Sequence, residues 1–270
     1  MKLALAIAGD NARPDAFVVF RGFERSIRRA AELGYHGVEL ALKSPDEIEP
    51  DRLEVLLKQH RLGVSCISTG QVYADTGLSL TDDDPERRSR AIEVMQGMVD
   101  LAAHFGHMVN IGRVRGGLNG RDVETVNRLF IETVEPLADY AATKNVNLAL
   151  EPVNRYEIDF LNSVEEAAAL VRGSGIGNLL LMPDVFHMNI EDRDMGRTLA
   201  DHIDRIGYIH LADSNRLAPG QGHLDFTDIF GNLRAEDYSG WLGVEILPQP
   251  DPDTAARQAA EFLLPILEDS

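Results

Sequence analysis

Four carboxylate or imidazole side chains in the second half of the chain lie in or directly after apolar runs, at positions where they could hold a metal ion. They are Glu151 after Leu148–Leu150, Asp184 after the run LLLMP, His210 in IGYIHL, and Glu245 in GWLGVEI. Apolar runs of this length are typical of strands buried on both faces of a parallel sheet. Burying an unpaired charge at a strand end costs several kcal/mol. Four in succession therefore indicate ligands of one divalent ion, although four separately hydrogen-bonded residues would also fit the pattern.

Three carboxylates and one imidazole form an oxygen-rich set of donors. Such donors favour Mn2+, Mg2+ or Co2+ over a structural zinc ion, which prefers sulfur and nitrogen. If His187 were a further ligand, the two imidazoles would suit a catalytic zinc ion. We expect a divalent metal cofactor, with Mn2+ first and Mg2+ or Co2+ as the alternatives.

The apolar runs alternate with longer amphipathic segments eight times along the chain. The predicted strands are Leu3–Ala8, Gly37–Leu42, Val64–Ser68, Met108–Ile111, Val146–Leu150, Leu179–Met182, Gly207–Leu211 and Leu242–Ile246. The predicted helices are Phe23–Leu33, Pro50–His60, Pro85–Phe105, Val123–Lys144, Ser163–Val171, Met195–Ile203, Thr227–Leu233 and Thr254–Leu267. This order predicts a single α/β domain over residues 1–270, a (β/α)8 TIM barrel. An open doubly wound sheet is the alternative, and the lack of a glycine-rich phosphate turn after the first strand disfavours it.

In such a barrel the active site lies at the C-terminal ends of the strands. The four polar residues fall at the ends of predicted strands five to eight, which places them together on that face. The long connections Thr69–Asp84, Gly112–Asp122 and Ala212–Asp225 lie on the same face. We expect them to lack structure of their own and to form lids and walls around a substrate.

The composition excludes several classes of protein. A formal net charge of −18 over 270 residues argues against nucleic acid or an anionic membrane surface as partner, since both bind basic faces. The hydrophobic content of 44% suffices for a large core, in which the single cysteine, Cys66, is expected to lie. No apolar run approaches the roughly 18 residues of a membrane span. We expect a cytoplasmic protein that acts on a small molecule.

Several segments resemble a known enzyme family. EPVNRYE, DVFHMNIE, HLADSNRLAPGQGHLDF and GVEILP resemble the metal-dependent ketose 3-epimerases of the xylose-isomerase-like TIM-barrel superfamily. Together with STGQVYADTGLSLTDDDPERR, they resemble most closely the 5-keto-L-gluconate epimerase branch. The resemblance runs nearly from end to end of the chain, and it implies a homodimer or a homotetramer.

The resemblance also implies roles for individual residues. It assigns Glu151, Asp184, His210 and Glu245 to the metal, and Glu157, His187 and Arg216 to the substrate. On residue type alone, each of the last three could also be an ordinary loop residue.

The implied reaction is epimerisation of the carbon next to a ketone. A divalent ion stabilises the resulting cis-enediolate as a Lewis acid. Glu151 and Glu245 are the pair that the resemblance implies as base and acid, one on each side of the reacting carbon.

Two arginines beyond the fourth predicted strand suggest an acidic substrate. A guanidinium binds a carboxylate with two parallel hydrogen bonds, so Arg113 or Arg115 is predicted to recognise a keto-sugar acid such as 5-ketogluconate or tagaturonate. A salt bridge within the loop is the alternative. The opening MKLALAIAGDNARPDAFVVF lacks the aromatic-rich start of the psicose and tagatose enzymes, which disfavours a free ketohexose.

Other functions remain open on this scaffold. An inosose-dehydratase-like lyase or a hydroxypyruvate-isomerase-like enzyme would use the same proton abstraction. A DNA-repair endonuclease would need a basic face, which the charge of −18 disfavours. A non-catalytic sugar-binding protein would not need two opposed glutamates.

Overall fold

The computed structural model of the protein describes residues 1–268 and contains eight parallel strands that follow one another around a barrel. The strands are β1 Lys2–Ala8, β2 Gly37–Ala41, β3 Gly63–Ser68, β4 Met108–Ile111, β5 Asn147–Leu150, β6 Leu179–Leu181, β7 Tyr208–Leu211 and β8 Trp241–Val244. Each of β1 to β5 pairs with the next strand, β7 pairs with β8, and β8 pairs with β1. A two-residue strand, Phe20–Arg21, pairs with β1 outside this order. The prediction of a (β/α)8 barrel is confirmed.

The junction between β6 and β7 differs from the others, because two isolated parallel bridges replace a continuous ladder there. The bridges join Leu181 to Ile206 and Asp184 to His210. Their hydrogen bonds run from the Gly207 amide to the Leu181 carbonyl (3.0 Å) and from the His210 amide to the Pro183 carbonyl (2.9 Å). Pro183 has no N–H group to extend the ladder, so β6 ends earlier than predicted.

Ten helices surround or cap the strands in the described part of the chain. They are α1 Phe23–Glu32, α2 Pro50–His60, α3 Gly70–Thr76, α4 Pro85–His104, α5 Val123–Thr143, α6 Val164–Ser174, α7 Val185–Glu191, α8 Met195–Asp201, α9 Phe226–Ala235 and α10 Pro252–Glu268. Short 3-10 helices span Pro45–Glu47, Arg113–Arg115 and Ile203–Arg205. None of the helices described is both long enough and apolar enough to cross a membrane.

Local side chains explain why the main helices begin where the sequence predicts. Asp84 accepts a hydrogen bond from the Glu86 amide at the start of α4, and Ser163 forms a capping box with Glu166 at the start of α6. Such caps satisfy amide groups that have no partner within the helix.

Two connections contain structure that the sequence pattern does not predict. The segment Thr69–Asp84 contains α3, and Gly112–Asp122 begins with a 3-10 helix. The expectation that these connections lack structure of their own is therefore wrong. Each element is only one or two turns long, too short for its periodicity to be recognised in the sequence.

A small apolar cluster, separate from the main core, packs around Tyr208 and contains Cys66, Met108, Ala149 and Met182. Cys66 is completely buried, as expected. The rings of Tyr208 and His210 meet edge to face, with centroids 5.4 Å apart. The apolar cluster therefore lies directly against the polar residues at the strand ends.

Candidate metal centre and active site

The four residues that were predicted to converge lie together at the C-terminal ends of adjacent strands. Glu151 directly follows β5, Asp184 follows β6, His210 lies in β7, and Glu245 directly follows β8. One donor atom from each lies within 4.8 Å of every other. The first three side chains are buried and Glu245 is partly buried.

The two nitrogens of the His210 ring face different neighbours. Nδ1 lies 3.0 Å from Glu151 Oε1 and 3.9 Å from both Asp184 Oδ2 and Glu245 Oε2. Nε2 faces the carboxylate of Glu39, with its oxygens at 2.9 and 3.1 Å. Nδ1 is thus the nitrogen that points to the group of three carboxylates.

This donor set fits a hard divalent ion. Donors on opposite sides of one such ion lie roughly 4–4.5 Å apart, close to the spacing found here. Three carboxylates held together away from water repel one another strongly unless positive charge lies among them. Arg216 supplies one positive charge, since its Nη1 bonds to Asp184 and its Nη2 to Glu245.

The three carboxyl groups differ in pKa because their surroundings differ. Burial raises the pKa of Glu245 to about 8, although the charges of His210 and Arg216 oppose this shift. Burial would also raise the pKa of Asp184, but the charges of Arg216, His187 and His210 bring it well below its usual range. The pKa of Glu151 is lowered, because the charge and hydrogen bond of His210 outweigh its burial.

A cavity opens above this group. It is lined by Arg13, Asp15, Ala16, Phe17, Val18, Ala41, Ser68, Gly70, Gln71, Ala74, Arg113, Glu151, Val153, Glu157, His187, Arg216 and Glu245. Four of the five residues that were predicted to contact substrate line it, namely Glu157, His187, Arg216 and Arg113. Both glutamates of the predicted acid–base pair also reach its surface.

His187 lies in the first turn of α7 rather than at the end of the strand, because Asp184 already caps this helix by accepting from the Phe186 amide. Its Nδ1 lies 2.8 Å from the side-chain nitrogen of Asn154. The oxygen of that amide accepts from the Tyr156 backbone, which turns the NH2 group toward His187. Burial lowers the pKa of His187. Because the Asn154 NH2 group donates to Nδ1, the neutral form of the ring carries its proton on Nε2.

Arg216 is clamped between two aromatic rings. Its guanidinium carbon lies 4.8 Å from the ring centroid of Phe17 and 4.9 Å from that of Phe186. The residue adopts a left-handed backbone conformation, with φ of 63°. Stacking and ion pairing together fix the guanidinium at the floor of the cavity.

The prediction that Arg115 binds substrate is wrong. Arg115 is completely buried, and its N–H groups donate to the backbone carbonyls of Gly112, Glu151, Phe160 and Leu161 at 2.8–3.0 Å. These contacts use all five donors of the guanidinium. Arg115 instead joins the 3-10 helix after β4 to the segment after β5.

Arg113, two residues earlier, points the other way and reaches the cavity. Its Nη1 lies 3.9 Å from Glu157 Oε2, and a third of its side chain is exposed. Arg13 lines the same cavity and is paired with Asp15 at 3.0 Å. The mouth of the cavity therefore carries two guanidinium groups.

Three polar residues next to the site were not singled out from the sequence. Asn110 donates to Glu151 Oε2 at 2.8 Å, Asn154 holds His187, and Glu39 holds His210. Asn110 and Glu39 lie within the predicted strands MVNI and GVELAL. A single polar residue among apolar neighbours is the sequence feature that could have identified each of them.

Comparisons with known proteins agree with the geometry. The family model described as "Xylose isomerase-like TIM barrel" matches residues 27–266. The chain is 31% identical to an L-ribulose 3-epimerase of Methylomonas sp. (strain DH-1) over 231 residues, 83% of this chain and 78% of the relative. It is also 31% identical to a 3-dehydro-D-guloside 4-epimerase of Escherichia coli K12 over 188 residues, 66% of this chain and 72% of the relative.

A solved structure extends the likeness to nearly the whole chain. It is a D-allulose 3-epimerase from Methylomonas sp. in complex with D-allulose, with a TM-score of 0.82 and 26% identity over 98% of both chains. The barrel fold, the group of four polar residues at the strand ends and the relatives all support the same assignment. The protein is an isomerase of the sugar epimerase type, and it belongs to the xylose isomerase-like TIM barrel family.

Proposed function

We propose that this enzyme inverts a carbon next to the carbonyl of a small ketose or keto-sugar acid, with a bound divalent ion, and that the ion is Mn2+. The convergence of Glu151, Asp184, His210 and Glu245 within 4.8 Å carries this proposal. Relatives named as epimerases at the 3- and 4-positions of sugars support the reaction class.

Glu151, Asp184 and Glu245 would hold the ion with one oxygen each, and His210 with Nδ1. When bound, the ion supplies Lewis-acid stabilisation of the negative charge that develops on the substrate's carbonyl oxygen. The chain's own side chains perform the remaining steps.

The two glutamates would move the proton. Glu151 comes from β5 and Glu245 from β8, so they approach the cavity from different sides of the barrel. One takes the proton from the carbon, and the other returns a proton to the opposite face, with the roles exchanged in the reverse direction. Asn110 keeps one oxygen of Glu151 oriented through the hydrogen bond at 2.8 Å.

Three further residues would orient the sugar. His187 donates from Nε2 to a substrate oxygen, because Asn154 occupies Nδ1. Glu157 accepts from a hydroxyl group, and Arg216 donates to oxygens at the floor of the cavity. Holding the substrate in one pose at the reacting carbon lowers the entropic part of the barrier.

The residues at the mouth of the cavity support an acidic substrate. Arg113 and Arg13 are the guanidinium groups there, and Arg113 has Glu157 as its ion-pair partner only at 3.9 Å. A substrate carboxylate can replace that long contact with two charge-assisted hydrogen bonds. We therefore favour a keto-sugar acid such as 5-ketogluconate or tagaturonate over a neutral ketose.

Proton NMR in deuterated water tests the proposal directly. The purified enzyme, with and without added Mn2+, is incubated with a panel of ketoses and keto-sugar acids. An epimer that appears only with the metal and carries deuterium at the inverted carbon is expected. A product that has lost water would instead indicate a lyase, and a carbonyl that has moved along the chain would indicate an aldose–ketose isomerase of the hydroxypyruvate isomerase kind.

A further inference from the structure

Glu39 is a completely buried carboxylate in the middle of β2, outside the four-residue group described above. Its oxygens accept one hydrogen bond from the hydroxyl of Tyr208 at 2.7 Å. They also face Nε2 of His210 at 2.9 and 3.1 Å. His210 is the ion-pair partner that the described structure provides for this carboxylate.

A carboxylate in this position is costly for the fold. Removing it from water costs several kcal/mol unless its oxygens are satisfied. An apolar residue would fill this position of a barrel strand without that cost. We therefore expect the Glu39 carboxylate to orient the groups next to it, since that effect would offset the cost of its burial.

The contacts of Glu39 determine which nitrogen of His210 carries a proton. An ionised carboxylate has no hydrogen to donate, so His210 must donate to it from Nε2. The other nitrogen, Nδ1, bonds to Glu151 while it carries a proton, and its lone pair becomes available when a bound ion replaces that proton. Nδ1 is the nitrogen that points to Glu151, Asp184 and Glu245.

Tyr208 holds Glu39 in this position from the same strand as His210. Residues two apart in a strand point to the same side, which places the Tyr208 hydroxyl and the His210 ring against one carboxylate. Ser65 lies 2.8 Å from the Tyr208 oxygen. The Ser65 hydroxyl also lies 3.2 Å from the carbonyl oxygen of Val38, to which it donates.

We propose that Glu39 is a positioning residue for the metal centre. It fixes the His210 ring with the proton on Nε2, presents the Nδ1 lone pair to the ion, and makes that nitrogen more basic. A carboxylate behind a ligating histidine does this in many metal sites. The proposal rests on the metal centre proposed above, and it concerns affinity and ring orientation rather than proton transfer to the substrate.

Metal affinity provides the first test. Metal-free wild-type protein, Glu39→Gln and Ser26→Ala are titrated with Mn2+, and free Mn2+ is followed by electron paramagnetic resonance. Glu39→Gln keeps the size of the side chain but removes its charge, and its Kd should rise roughly 10–100-fold. Ser26→Ala is the control, because it removes a buried hydroxyl that bonds to the Gly22 carbonyl, outside the network of Glu39, Tyr208 and His210, and its Kd should equal that of the wild type.

The outcomes separate this proposal from the previous one. If the wild type binds no Mn2+, the proposed metal centre itself is wrong. If the wild type binds Mn2+ and a folded Glu39→Gln binds it equally well, the positioning role alone is wrong.

A second measurement needs no variant of Glu39. Two-bond proton–nitrogen correlation spectra of Mg2+-loaded wild-type protein with 15N-labelled histidine report which ring nitrogen carries the proton. The His210 signals are assigned by their absence in His210→Asn. A proton on Nε2 with an unprotonated Nδ1 is expected, and a proton on Nδ1 would overturn the proposal even if Glu39→Gln did not fold.

Discussion

The side-chain amide of Asn110 donates to Oε2 of Glu151 at 2.8 Å, while the other oxygen of that carboxylate lies 3.0 Å from His210 Nδ1. Glu245 instead bonds to the guanidinium of Arg216. The two glutamates of the proposed acid–base pair are thus oriented by different neighbours, a neutral amide and a cation. Replacing one should therefore not be equivalent to replacing the other.

Glu151→Gln and Glu245→Gln should each lower epimerisation roughly 10²–10⁴-fold, because each removes a group that takes or returns a proton. Each variant should still exchange deuterium from solvent into one epimer, and the two variants should favour opposite epimers. The measurement is NMR in deuterated water, with metal content determined beside every rate. A variant that retains metal and epimerises at the wild-type rate would refute the two-base assignment.

Chelation should abolish activity, since three carboxylates and one imidazole form a site for a hard ion. The enzyme is dialysed against EDTA, and its activity is measured before and after addition of single metals. Mn2+ or Co2+ should restore the highest rate. Full activity in protein shown to contain no metal is the outcome that contradicts this prediction.

Arg113→Ala should reduce kcat/KM for a keto-sugar acid by roughly 10-fold or more, because a charge-assisted contact to the carboxylate is lost. A neutral ketose should be affected much less. Arg155→Ala is the matched control, since Arg155 pairs with Glu191 and does not line the cavity. Equal losses on both substrates would assign Arg113 to the scaffold.

Arg115 should matter for stability. Arg115→Met leaves the carbonyls of Gly112, Glu151, Phe160 and Leu161 without their donors in a buried position. The free energy of unfolding should fall by about 3–5 kcal/mol, as for other broken buried charge networks. Chemical denaturation measures this change, and Arg113→Ala, half-buried at the cavity, serves as the comparison. A loss below about 1 kcal/mol would show that the carbonyls find other partners.

Asp192 should make the protein less stable at neutral than at mildly acidic pH. Burial raises its pKa to about 6, and its Oδ2 has no hydrogen-bond partner among the residues that the structure describes. A carboxyl whose pKa is higher in the folded state favours folding below its unfolded pKa, and this contribution is lost as the pH rises through about 6.

Asp192→Asn should therefore be more stable than the wild type at pH 8, by on the order of 1 kcal/mol, with a difference that shrinks toward pH 4. Thermal melts across this range measure it, with Glu236→Gln at an exposed position as control. A constant difference at every pH would show that ionisation of Asp192 is not the cause.

The order of strands and helices and the convergence of the four polar residues could be predicted from the sequence. Alternating apolar and amphipathic segments determine the barrel, and the barrel brings its strand ends together. The direction of a side chain within a short loop element could not be predicted in this way. Arg113 and Arg115 differ by two residues, yet one lies in the cavity and the other bonds to backbone carbonyls, because a 3-10 helix turns them apart.

Glu39 was missed for a different reason. It lies in an apolar run that predicts a buried strand. The same pattern does not show which residue forms a hydrogen bond with the carboxylate inside that strand. Its partner, His210, lies 171 residues later in the chain, a pairing that only the closed barrel reveals.

The sparse junction between β6 and β7 links the site to the motions of the barrel. One of its two bridges joins Asp184 to His210, and the backbone hydrogen bond of that bridge also holds the strand that carries His210. Local unfolding at this junction would separate Asp184 from His210 while the ladders elsewhere stay intact. Backbone amide exchange at Gly207 and His210 therefore measures the opening of the junction that holds Asp184 beside His210.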